Sequence, residues 1–292
     1  MKSSAFAYER PDSVEQALAA KVRWGGAARF LAGGQSLMPA MNMRLNQSEC
    51  LIDLNGLVSL RAIRQEGELL VIGAMACHAD VALSPLVRRA APVLVQAGRY
   101  LAHVAIRNRG TFGGSVALAD PAGEWPAACL LLDARIRLQG KSGHREIVAE
   151  RFFQGLYMTD MGENDLLESV AIPFQHPEEK SCVLELARRH GDFATAAVMT
   201  RGRVRDGKIS YLRMVFYGVA DTALRDVSLD ASIEKMVNQG ALLDVPEAVQ
   251  LALASRNLHA DLYTAAHTKR YLCGVLARRA VAQLVGSGFG GR

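Results

Sequence analysis

Ala32-Gly33-Gly34-Gln35-Ser36-Leu37-Met38-Pro39 follows directly on a short apolar run, Arg29-Phe30-Leu31-Ala32. The run reads as a strand that opens into a double glycine. Two adjacent glycines allow positive φ and let the backbone approach a ligand without a Cβ clash. Successive bare N–H groups then form a concavity that suits an anion such as a pyrophosphate. The Ser36 hydroxyl adds a donor. Taken by itself, the segment also fits a plain tight turn.

The same chemistry recurs at Arg109-Gly110-Thr111-Phe112-Gly113-Gly114-Ser115, a double glycine flanked by hydroxyl side chains. Two such loops in one domain can hold the two phosphates of a dinucleotide from both sides. Ala119-Asp120-Pro121 comes soon after. A carboxylate there can accept hydrogen bonds from sugar or ribityl hydroxyls, and the proline stiffens the turn that presents it. An ordinary Asp-Pro turn is the alternative.

Strand and helix signals alternate around these loops. Ser13 can cap a first helix, with Gln16 completing a capping box. Strands are expected at 29–32, 50–54 and 69–72. A helical stretch over 85–101 leads into the second loop. Residues 125–133 read as a buried helix, 134–138 as a strand and 140–143 as a turn. A mixed α/β region is implied by this order. The polar segment 175–180 carries Pro177 and marks a domain boundary. Beyond it, strands at 182–187, 194–204 and 209–219 surround the Asp206-Gly207 hairpin signal. Helices are expected at 230–238, 245–256 and 264–285. The division is therefore 1–176, then a sheet-and-helix domain over 177–285, then a flexible tail, 286–292. The tail satisfies G-x-G-x-x-G, but it succeeds a helix rather than a strand, so it is not a Rossmann site.

Composition removes several functions. The chain has 292 residues and is 50% apolar, enough for one large or two ordinary domains. It has no run of about 18 apolar residues, which a membrane span needs. No secretory h-region is seen, so a cytoplasmic protein is expected. The formal charge of +5 is spread over scattered basic residues. No nucleic-acid-binding motif accompanies them. The five cysteines make no C-x-x-C pair and read as buried free thiols. Neither G-x-S-x-G nor H-E-x-x-H occurs, and the seven histidines are dispersed. No catalytic acid, base or nucleophile and no metal ligand is assigned.

The ordered set of segments resembles the flavoprotein subunit of the xanthine oxidase family, in particular the medium subunits of bacterial molybdenum hydroxylases. Besides the two loops and Ala119-Asp120-Pro121, the likeness includes Leu51-Ile52-Asp53-Leu54, Ile72-Gly73-Ala74 and Arg189-His190-Gly191-Asp192-Phe193-Ala194. It runs from about residue 4 to 285.

The resemblance implies an α+β protein: a two-lobed FAD-binding domain of the vanillyl-alcohol-oxidase type, then a C-terminal sheet-and-helix domain. It places the FAD pyrophosphate on Leu31, Ala32, Gly33, Gly34, Gln35, Ser36 and Leu37, and on Thr111, Gly113, Gly114 and Ser115. It places Ala119 and Asp120 at the flavin's polyol chain and Phe193 beside the isoalloxazine ring. Ser115, Leu118, Glu124 and Phe193 depart from the Asn, His, Asp and Tyr common in relatives. A cysteine-rich insertion, which in one subgroup holds an extra iron–sulfur cluster, is missing.

The implied partners are a small subunit with 2Fe-2S clusters and a large subunit with the molybdopterin cofactor, assembled as a dimer of heterotrimers. The implied task is to relay electrons through FAD to an external acceptor. A self-contained FAD-dependent oxidase or dehydrogenase, and a nucleotide-binding module without redox activity, are the competing readings.

Overall fold

The computed structural model describes residues 2–141 and 143–286. The glycine-rich stretch from 287 onward, expected as a flexible tail, lies outside the described residues. Gly286 caps the last helix with φ +74°.

The N-terminal lobe holds β1 (Ala7–Glu9), α1 (Val14–Trp24), β2 (Ala28–Leu31), α2 (Leu37–Asn42) and β3 (Cys50–Asp53). Its strands run parallel in the order β1-β3-β2. Ser13 caps α1 by accepting from Gln16 N at 3.2 Å. The Gln16 side chain reaches back one residue further than expected, to Asp12 N at 3.0 Å. Ala17, Ala20, Ala28, Cys50 and Ile52 form the core between α1 and the sheet.

The second lobe opens with β4 (Ile63–Glu66) and β5 (Leu69–Gly73). The helix expected over 85–101 is instead a series: α3 (His78–Leu83), α4 (Pro85–Ala90) and α5 (Pro92–Ala97). Pro92 forces Ala91 out of the helical region, to φ −148°. Then come α6 (Val104–Arg107), α7 (Phe112–Leu118) and α8 (Glu124–Leu131), which stops short of Asp133 because that residue turns left-handed at φ +53°. β6 (Arg135–Gly140), β7 (Gly143–Val148), α9 (Ala149–Phe152), the small hairpin β8 (Phe153–Gly155) and β9 (Met158–Thr159), and β10 (Leu166–Pro173) complete the lobe. The sheet order is β4-β5-β10-β6-β7, antiparallel throughout.

The C-terminal part is a meander, β11 (Glu179–Leu186), β12 (Ala196–Arg205) and β13 (Lys208–Tyr217), followed by α10 (Val227–Asn238), α11 (Val245–Ala252) and α12 (Ala266–Val285). Asp206 (φ +52°) and Gly207 (φ +73°) make the type I′ turn between β12 and β13. Side chains alternate along the strands. Ala196, Val198, Met214 and Phe216 face α10, α11 and α12. Ala197, Met199, Val215 and Tyr217 join the core of the second lobe around α5 and α8.

That second contact carries two buried arginines held by one carboxylate at the surface. Arg201 and Arg213 lie on the sheet, and both pair with Asp133 just past α8. Arg213 also donates to Leu131 O at 3.0 Å, at the negative end of α8. Four cysteines are buried, whereas Cys77 departs from expectation and is only half-buried. Among the described residues no helix is long and apolar enough to cross a membrane. The mix of one parallel sheet, antiparallel sheets and segregated helices makes the molecule α+β.

Candidate cofactor-binding site

The carboxyl ends of β2 and β3 lie side by side, with Leu31 in register with Asp53. Loops leaving such ends are where parallel sheets bind ligands. Here they open a cleft of about 510 Å³. One wall is Leu31, Ala32, Gly33, Gly34 and Gln35, extended by Met38, Pro39 and Asn42. Tyr8, Asp53, Asn55 and Arg109 complete the lining.

Gly34 turns at φ +71°, a conformation that disfavours any side chain. Gly33 is glycine for another reason. A Cβ there would strike Arg109 O and lie 2.7 Å from Gly110 Cα. The two glycine loops are therefore packed backbone to backbone. The expectation that both glycines clear space for a ligand is corrected at Gly33, which clears space for the second loop.

The backbone N–H groups of Gly33, Gly34, Gln35 and Ser36 have no protein acceptor among the described residues. Together with Arg109 they give the cleft a donor set that suits a diphosphate. No Cβ projects from Gly33 or Gly34 into the space in front of these amides.

The second loop differs from its sequence reading. Phe112 N donates to Ala76 O and Gly113 N to Ala74 O, both at 2.9 Å. Gly114 N donates to Thr111 Oγ1 at 3.1 Å and Ser115 N to Thr111 O at 3.1 Å. Its amides are engaged within the protein, and the Thr111 hydroxyl is engaged as the cap of α7. Gly113 is glycine because a Cβ would sit 2.5 Å from Ala74 Cα. What this loop presents is the half-exposed surface of Gly114 and Ser115, next to Ala32.

Thr111, Gly113, Gly114, Ser115, Ala119, Asp120 and Phe193 lie outside the cleft lining, as do Ser36 and Leu37. Ala119 ends α7 left-handed at φ +54° and so turns Asp120 inward. The Asp120 carboxylate accepts from Ala122 N at 2.9 Å and from the Tyr157 hydroxyl at 3.2 Å. Tyr157 itself is held left-handed at φ +55°. Phe193 is 68% exposed. Its neighbour Ala194 packs on Gly218, whose N–H donates to Pro121 O at 2.9 Å. That chain of contacts brings the Phe193 segment to the Asp120 turn.

Sequence reasoning missed Tyr8, Asn42, Asn55 and Arg109 and gave Asp53 no role. The parallel order of β2 and β3 could have found Asp53 and Asn55. Asp53 accepts from Tyr8 Oη at 2.5 Å, Asn55 N at 3.0 Å and Asn55 Nδ2 at 2.6 Å. Burial pushes its carboxyl up, but these hydrogen bonds outweigh burial and hold it below the usual range. Asn55 Nδ2 also donates to Ala32 O at 2.9 Å, tying the first loop to β3.

Behind the second loop, the His78 backbone N–H donates to Gly110 O at 2.9 Å. Its ring Nδ1 accepts from Trp125 Nε1 at 2.9 Å. Burial, with Arg107 adding, lowers its pKa to about 4, so the ring is neutral. Glu124, the first residue of α8, is pushed up to about 8, mainly by burial and further by Glu185 and Asp120. Since the folded value lies above the usual one, its contribution to stability is full at acid pH and lost as pH rises through 8. Glu124→Gln is expected to gain stability relative to the parent by about 1.4 kcal/mol per pH unit between pH 5 and 8. Denaturant unfolding at several pH values measures this. Parallel curves for the two proteins would show that Glu124 titrates as an exposed carboxyl does.

Known proteins resemble this chain along its length. A family model described as the FAD binding domain in molybdopterin dehydrogenase matches residues 4–175. The chain is 35% identical to the carbon monoxide dehydrogenase medium chain of Hydrogenophaga pseudoflava, over 94% of this chain and 96% of that one. It is 34% identical to the nicotine 6-hydroxylase medium subunit of Paenarthrobacter nicotinovorans, over 97% and 98% of the two chains. A solved structure of the Hydrogenophaga pseudoflava carbon monoxide dehydrogenase, lacking the Mo-pyranopterin moiety of its molybdenum cofactor, superposes with a TM-score of 0.91 at 34% identity. That match covers 98% of this chain and 99% of the solved one. The expected fold is thereby established over nearly all of the described residues.

Proposed function

We propose, from the premise that this chain belongs to the family of FAD-binding domains in molybdopterin dehydrogenases, that it is the flavoprotein subunit of a molybdenum-dependent hydroxylase complex and relays electrons within it. The observation that carries this reading is the end-to-end match to medium subunits. A relative named as the medium chain of a carbon monoxide dehydrogenase aligns over 94% of this chain and 96% of its own length.

In this reading the amides of Gly33, Gly34, Gln35 and Ser36 hold the FAD pyrophosphate, flanked by Leu31, Ala32 and Leu37. Ser115 offers a hydroxyl from the adjoining surface, and Thr111, Gly113 and Gly114 set that surface against Ala32. Asp120, presented by Ala119, shares its carboxylate between Tyr157 and the polyol hydroxyls. Phe193 covers the isoalloxazine ring with its exposed face. Bound FAD supplies the electron exchange; the protein supplies position and surroundings. Residues 1–176 form the FAD-binding unit and 177–285 the unit that helps seat it among its partners. A small subunit with 2Fe-2S clusters delivers electrons, and a large subunit with the molybdopterin cofactor oxidises the substrate. The complex is a cytoplasmic dimer of heterotrimers.

The test is expression of the chain by itself, loaded with FAD and assayed with a dye acceptor against N-heterocycles, aldehydes and carbon monoxide. The expected result is stoichiometric FAD and no substrate-dependent dye reduction until the partner subunits are added. Robust turnover by the single chain would replace the relay with a self-contained flavoenzyme. A chain that stays colourless with added FAD would replace it with a nucleotide-binding module.

A further inference from the structure

We propose that Arg109 is the cationic clamp that makes this site select a diphosphate-bearing flavin over a mononucleotide, an inference that rests on the FAD-binding reading above. Arg109 leaves the turn between α6 and α7 and lines the cleft beside the first glycine loop. Its position there is fixed by its own backbone, because the Arg109–Gly110 peptide packs directly on Gly33. Among the described residues lining the cleft it is the one cation.

Neighbouring arginines have other tasks. Arg107 donates to Leu101 O at 2.8 Å and Ala102 O at 2.9 Å, which shapes the turn before α6. Arg61 donates to Asn55 O at 2.9 Å. Arg109 has no ion-pair or hydrogen-bond acceptor for its guanidinium among the described residues. It is a free planar fork on an exposed residue that lines a cleft whose wall carries bare amides. A guanidinium matches a phosphate with two parallel hydrogen bonds.

Asp53, in register with Leu31 at the foot of the same loop, also lines the cleft, and its carboxylate is already satisfied by Tyr8 and Asn55. A phosphate is therefore drawn toward the loop amides and Arg109 and away from that fixed negative charge. The loop amides can cradle one phosphate, and the clamp takes up the second. FAD presents two phosphates to this pair of devices, FMN one and riboflavin none. Removing the clamp therefore weakens FAD far more than FMN.

The experiment titrates the full-length apoprotein with FAD, FMN and riboflavin, following flavin fluorescence, for the parent, Arg109→Gln and Arg109→Lys. Far-ultraviolet circular dichroism and thermal unfolding confirm that the variants are folded, as expected for an exposed side chain. The expected result is a fall in FAD affinity of about 10- to 50-fold for Arg109→Gln, the size of a lost charge-assisted hydrogen bond. FMN should change less than about threefold, and Arg109→Lys should recover part of the loss as a point charge without the fork. FAD affinity of the parent should also fall more steeply with salt than that of Arg109→Gln. Equal FAD affinity in parent and Arg109→Gln overturns the clamp, and so does an equal loss for FAD and FMN. A parent that binds FAD no better than riboflavin overturns the FAD-binding reading itself, and the clamp with it.

Discussion

Gly33→Ala is expected to strip the protein of FAD. The added methyl meets Arg109 O and lies 2.7 Å from Gly110 Cα and 2.8 Å from Arg109 C, all of them backbone atoms. Backbone cannot rotate aside as a side chain does. The second loop is also braced from behind, because Gly110 leaves only 2.6 Å between a Cβ of its own and His78 Nε2. His78 in turn is fixed by Trp125. The loops must therefore part. Overpacking of this kind costs about 1–3 kcal/mol where the surroundings can yield, and these surroundings yield little. With the loop amides displaced, FAD affinity should fall about 100-fold or more, equivalent to about 2.7 kcal/mol. Gly34→Ala should do less, about 1–2 kcal/mol of left-handed strain, because its methyl meets only the side chains of Leu31 and Met38. The ratio of flavin to protein absorbance after purification measures both. Stoichiometric flavin in a well-folded Gly33→Ala would show that the two loops are not in contact.

The second large effect is on stability. Asp133→Asn should destabilise the protein by about 3 kcal/mol, the lower end of the cost of removing one member of a buried ion pair. Arg201 and Arg213 are only 9% and 10% exposed at the side chain, so neither can turn to water. Glu179, at 3.6 Å from Arg201, compensates in part, whereas Arg213 keeps the Leu131 carbonyl and the more distant charge of Asp230. Asp133 is itself half-exposed, which places the value at the lower end. Asparagine tolerates the left-handed conformation of that position, so the substitution isolates the charge. Urea unfolding gives the number; a loss under about 1 kcal/mol would mean that the arginines find other partners.

Much of this architecture is legible in the sequence, and the gaps have physical causes. The C-terminal meander is plain because Asp206-Gly207 fixes a tight turn between two alternating runs. β4 and β7 escape the sequence reading because they are edge strands whose side chains are largely solvent-exposed, leaving no apolar alternation to read. α4 and α5 merge in the sequence since the apolar periodicity continues across the Ala91-Pro92 break. At the site, the glycine pairs announce themselves. Their reasons do not, because Gly33 answers to a carbonyl in a different loop and Gly113 to the backbone of Ala74. Arg109 and Tyr8 join the cleft only through the parallel order of the first sheet and the contact between loops, which no local pattern encodes.

The three-stranded sheet after β10 behaves as a party wall. Ala196 and Val198 belong to the rooms on one side, Ala197 and Met199 to those on the other. A gene cut between residues 176 and 177 would therefore bare Val93, Leu94 and Ala128 on the flavin side, and the cut fragment would be left with apolar skin. Chimaeras that graft this C-terminal part onto a relative need to exchange α5 and α8 along with it, or redesign Met199, Val215 and Tyr217 to fit the new neighbour.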